Sequence, residues 1–138
     1  MATINATITL SSADLTSDAL SISSTSTLSE AGVNTGLSQT DGLTRRTYSA
    51  AGANTILTAA TYTEDEAHKV YIKNLSTTAS ESVLVKIGGV EIGYLYAQDW
   101  LFIPWSADAD PTPDADISIT TSATNMTVEW MVFVQTYA

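Results

Sequence analysis

From Met126 to Thr136 the side chains at even positions are Met126, Val128, Trp130, Val132 and Val134, and Thr127, Glu129, Met131, Phe133 and Gln135 alternate with them. A repeat of two is the repeat of a β-strand, whose successive side chains point to opposite faces, and it is not the repeat of a helix. The same period recurs along the chain. Ile4, Ala6, Ile8 and Leu10 alternate with Thr3, Asn5, Thr7 and Thr9. Val70 and Ile72 alternate with Tyr71 and Lys73, and Val83, Val85 and Ile87 with Leu84 and Lys86.

Between these runs lie residues that break a strand. Gly88-Gly89 is a two-residue hairpin turn joining Val83–Ile87 to Val90-Glu91-Ile92, because both central positions of such a turn favour residues that accept positive φ. Gln98-Asp99 and Ser76 to Ser80 read as further turns, and Gly32, Asn34, Gly36, Asp41 and Gly42 mark a loop from Ala31 to Gly42. Ala19 to Leu28 is a weaker strand in which Leu20 and Ile22 are set among Ser and Thr. Trp100-Leu101-Phe102-Ile103-Pro104-Trp105 is apolar at both parities and predicts burial on both sides, with Pro104 ending the strand or placing it at a sheet edge.

Seven to nine short strands and no amphipathic helix predict an all-β fold, an antiparallel β-sandwich or jelly roll with an extended N-terminal strand or arm. The 138 residues suit a single β domain, with residues 1–30 as arm or edge strands and 43–138 as the sandwich core.

Composition excludes several functions. Fifteen acidic against five basic residues give a formal charge of −10, and no stretch gathers the Lys and Arg that offset phosphate repulsion, so no nucleic-acid partner is expected. There is no cysteine, hence no disulfide and no thiolate metal site. No leader pattern opens the chain and no run approaches a membrane span, so the expectation is a soluble protein made in the cytoplasm, without a membrane partner. Asn-x-Ser/Thr triplets at Asn5, Asn74 and Asn125 are chance matches in a chain with 38 Ser and Thr.

Candidate chemistry is sparse. His68, the only histidine, would have to anchor any metal site or general-base triad, and reads instead as an exposed residue at a strand end. Asp108, Asp110, Asp114 and Asp116 bracket Pro111 and Pro113 in a solvated acidic loop whose spacing is not that of an EF-hand. Glu64, Asp65, Glu91, Asp99 and Glu129 can be combined into glycosidase-like pairs only on paper. Nucleotide-binding, hydrolase and zinc-protease signatures are missing from the sequence. The expectation is a protein that is no enzyme and uses no cofactor.

The residues left are those that suit contacts between proteins. Trp130 alternates with valines and belongs to a core, whereas Trp100 and Trp105 flank an apolar run as interface anchors. Arg45-Arg46 is the one doubled cation in an acidic chain and fits acids on a neighbouring subunit. The interface candidates are Ile4, Ile8, Arg45, Arg46, Trp100, Phe102 and Trp105.

Lys69-Val70-Tyr71-Ile72-Lys73-Asn74-Leu75-Ser76, then Val83 to Gly89, then Gln98-Asp99-Trp100-Leu101-Phe102-Ile103-Pro104-Trp105 resemble, in style and order, the small β-sandwich virion proteins of tailed bacteriophages. The resemblance covers residues 65 to 138 and carries no catalytic motif. It implies a capsid decoration, or cement, protein on the outer surface of the head. Its partners would be major capsid or other virion subunits, and it would itself be a homo-oligomer, with a trimer favoured. A tail or neck component of the same fold and a glycan-binding module using Trp100 or Trp105 are the rival readings.

Overall fold

The computed structural model describes residues 4–14, 19–28, 37, 39–64, 66–110 and 114–134. Most of the loop expected from Ala31 to Gly42, the prolines Pro111 and Pro113, and the end of the last strand lie outside them.

The chain divides into two compact units, Met1–Ser38 and Gln39–Ala138. In the first, β1 (Asn5–Ser12) and β2 (Leu20–Thr27) form a two-stranded antiparallel sheet in continuous register from Asn5↔Thr27 to Ser12↔Leu20. Among the described residues these strands pair only with each other. The extended arm expected here is thus, in its described part, a hairpin.

The second unit is an antiparallel β-sandwich. Its strands are β3 (Gln39–Thr40), β4 (Thr44–Tyr48), β5 (Gly52–Leu57), β6 (His68–Asn74), β7 (Val83–Ile87), β8 (Val90–Leu95), β9 (Trp100–Trp105), β10 (Ile117–Thr121) and β11 (Met126–Val134). One sheet runs β5-β10-β7-β8, and the other β3-β11-β6-β9 with β4 also on β11. Alternation decides which side chains meet between the sheets. Val70, Ile72, Val83, Val85, Ile117, Ile119, Val128 and Val132 are fully enclosed, and Tyr48, Leu57, Leu95, Trp105 and Trp130 complete the core.

The predicted turns close as expected. Gly88 and Gly89 have φ of +56° and +78°, the pair of left-handed conformations a two-residue hairpin needs, and a side chain at Gly89 would be strained even though the space beside it is open. Asn74 then ties strands of both sheets together. Its Nδ2 donates to the carbonyls of Leu95 (3.1 Å) and Glu81 (3.3 Å), and its Oδ1 accepts from the Ser76 amide (3.0 Å).

Two expectations are corrected. His68 is not an exposed strand-end residue: it shares the inward parity of Val70 and Ile72 and is fully buried. Its ring packs against Tyr62 (5.8 Å) and Trp105 (6.0 Å), and its Nε2 is 2.9 Å from the Thr63 carbonyl, so that nitrogen carries the proton and donates it. The apolar run at β9 is not buried on both sides: β9 is the last strand of its sheet, as Pro104 suggested, and while Trp105 is buried on the inward side, Trp100 and Pro104 on the outward side are exposed.

Candidate assembly surface

Five of the large apolar side chains most exposed in the described sandwich fall in one short stretch: Val90, Ile92, Tyr94, Tyr96 and Trp100. The local fold places them there. The Gly88-Gly89 turn sends β8 to the edge of its sheet, and a register shift between Val85↔Gly93 and Lys86↔Glu91 leaves Ile92 as the extra residue of a bulge. Such a bulge turns an edge strand out of the regular ladder. Tyr94 lies across from Leu84, and beside it Lys86 and Glu91 are paired at 3.2 Å.

The turn that follows is firmly held. The Asp99 amide donates to the Tyr96 carbonyl (2.9 Å), the Tyr96 amide to Asp99 Oδ2 (3.0 Å), and Gln98 Nε2 to the carbonyls of Leu75 and Ser76 (2.9 and 2.8 Å). The exposed rings on either side of it are therefore presented by a braced frame, which lowers the entropic cost of docking.

Trp100 begins β9, and its outward parity continues through Phe102 and Pro104. Register places Trp100 across from Lys73, Phe102 across from Tyr71 and then Met131, and Pro104 across from Lys69 and then Phe133. Phe102 and Phe133 meet edge to face at 5.9 Å, a favourable geometry for two aromatic quadrupoles. At the far side Arg45 Nε donates to Glu129 Oε2 (3.0 Å), with a second bond from Nη2, and the Tyr71 hydroxyl donates to Oε1 (3.3 Å).

The outward residues of β4, β6, β9 and β11 thus carry three cations, Arg45, Lys69 and Lys73, against the single carboxylate of Glu129. In a chain of charge −10 this face is locally positive. Burial lowers the Lys69 ammonium below its usual range, and burial together with the Glu129 charge raises the Tyr71 phenol.

The expected interface residues are distributed as follows. Trp100 (54% exposed), Phe102 and Arg45 belong to this face. Trp105 does not: it is 4% exposed, packs edge-on to Tyr62 at 5.1 Å and donates from Nε1 to the Ala115 carbonyl at 2.8 Å. Arg46 is exposed and lies over the Tyr48 ring at 5.2 Å, whose buried hydroxyl has no partner among the described residues. Ile4 and Ile8 lie on the hairpin of the first unit. The acidic loop has structural uses: Asp116 Oδ1 accepts from the Ala59 amide (2.7 Å) and Asp108 Oδ1 from the Asp110 amide (3.1 Å). Among the described residues no three His, Asp or Glu side chains gather as metal ligands.

Sequence reading missed Lys69, Lys73, Tyr71, Met131 and Phe133 as parts of the face. The outward parity of β6 and β11 was legible and already set Lys69 and Lys73 on one face of β6; only strand pairing adds Arg45 from β4 and the rings of β9 and β11 beside them.

Compared with models of known protein families, with curated proteins and with solved structures, the chain matches none.

Proposed function

We propose that this chain is a non-enzymatic structural subunit of a tailed-bacteriophage particle. In this reading it is a decoration protein on the outer surface of the head, a homo-oligomer with a trimer favoured, and it stabilises the head by binding major capsid subunits. The observation that carries the reading is the braced aromatic surface around Trp100 and Phe102, set beside Lys69 and Lys73 in a chain that is otherwise acidic. Rings of this kind dominate the energy of protein interfaces, and a locally positive patch steers an acidic protein onto a negative partner without attracting it to DNA as a whole. Weak contacts repeated by symmetry then add up to lasting attachment.

The side chains best suited to catalysis are committed elsewhere. His68 is sealed in the core with Nε2 donating to a backbone carbonyl, and Glu129 accepts from Arg45 and Tyr71. The depression of about 320 Å³ between Ser76 and Thr127 is open and edged with hydroxyl side chains, and its Glu81 carboxylate is held by the Ser76 hydroxyl.

Antibody-gold labelling of particles from the producing lysate tests this function. Label over the heads supports decoration. Label confined to tails replaces it with a tail or neck role, and particles without label remove the virion reading. In that last case the exposed Trp100 ring favours a glycan-binding module, which quenching of tryptophan emission by soluble sugars would reveal.

A further inference from the structure

The N-terminal hairpin separates its side chains completely. Because β1 and β2 pair in a register that joins even positions to even, one face carries Ile4, Ile8, Leu10, Leu20, Ile22 and, beyond the last pair, Leu28, relieved only by Ala and Ser, and the other carries nothing but Asn, Ser and Thr. The polar face is internally bonded, Thr7 to Thr25 (2.8 Å) and Thr27 Oγ1 to Asn5 Oδ1 (2.8 Å). The apolar face is closed at one end, where Leu28 is buried beside the fully buried Leu37, and open along the rest: Ile8, Leu10 and Ile22 are 53%, 52% and 49% exposed. A two-stranded ribbon is at best marginally stable alone in water, so this face needs a cover.

Charge indicates what covers it. Asn5–Ser12 and Leu20–Thr27 contain no Asp, Glu, Lys or Arg, in a chain whose formal charge is −10. Copies of so acidic a protein repel one another over most of their surface. The paired strands, with Asp14 in the connection beyond Ser12, are where they can approach with least repulsion. The strands also lack the cations with which a foreign partner would be selected by charge.

We infer that the apolar face of the β1–β2 hairpin is the self-association surface of this protein, packing against the same face of other copies about a symmetry axis. The inference deepens the assembly reading by naming where copies meet. It assigns the hairpin to contacts between copies and the Trp100 face to the particle.

The test uses the isolated full-length chain, so its outcome is independent of particle binding. Sedimentation or native mass spectrometry of the wild type should show an oligomer at micromolar concentration. Leu10→Lys buries a charge in the proposed contact and should weaken association on the order of a hundredfold, whereas Thr9→Lys, the same change on the polar face, should leave the mass unaltered. Trp100, Trp105 and Trp130 all lie in the second unit, so unchanged tryptophan emission shows that the sandwich remains folded in each variant. Since the chain has no cysteine, Leu10→Cys provides a second readout, and mild oxidation should give covalent dimers. A monomeric wild type, an oligomer that survives Leu10→Lys, or Leu10→Cys that fails to cross-link would each overturn the inference, whatever the protein does on particles.

Discussion

Asn74 shows how much one side chain can decide at the residue scale. Replacing it with Ala strands the Leu95 carbonyl and the Ser76 amide, and Asn74→Ala should lower stability by about 2–3 kcal/mol in urea denaturation. The two tryptophans of β9 separate stability from binding in the same way. Trp105→Ala empties a core site and should cost about 3–5 kcal/mol, while Trp100→Ala, on an open face, should leave the unfolding midpoint nearly unchanged. Tyr71 adds a pH dependence. Its phenol is raised above the ordinary 10.0 of a tyrosine, so above pH 10 the unfolded chain releases this proton first and stability falls as pH rises towards the folded value. Tyr71→Phe should flatten that part of the curve, which alkaline denaturation measured beside the wild type will show. The different fates of Trp100 and Trp105 were legible in principle. They are five positions apart, an odd number, and a strand places such residues on opposite faces. His68 was harder to read, because its inward parity was plain while its burial depended on the Thr63 carbonyl, supplied by a loop that carries no periodic signal.

Among elements, β6 to β11 and their turns follow from period and from Gly and Asp placement, since those signals are local, whereas β3 falls inside the segment read as a loop and β4 and β5 carry no apolar alternation. The grouping of strands into sheets does not follow from local signals, because β11 takes β3, β4 and β6 as partners from far along the chain. Parity set Lys69 and Lys73 on one face of β6, but that Arg45, Phe102 and Phe133 join them there was invisible for that reason. Gly89 is the clearest local determinant. Its φ of +78° makes Gly89→Val costly by about 1–2 kcal/mol through backbone strain alone, measurable by thermal unfolding. The division into two units carries its own expectation. A chain lacking residues 1–38 should keep the cooperative unfolding transition and tryptophan emission of the sandwich; collapse of that transition would show that the hairpin is part of the same folding unit.

As a whole, the molecule sets an uncharged apolar hairpin face and a positive aromatic face in an acidic background; the inference on self-association assigns the first to contacts between copies, and the proposed function the second to the particle. Attachment through the second face has a charge component, so binding to particles should weaken as salt rises through the physiological range, and Lys73→Glu should slow association more than it speeds release. The most direct measurement is co-sedimentation of purified chain with particles stripped of it, comparing the wild type with the Trp100→Ala, Phe102→Ala double variant. The proposal predicts that the double variant remains folded and binds at least about tenfold more weakly. Equal pelleting of the two proteins would contradict it, and the particle-binding surface would then have to be sought elsewhere on the chain.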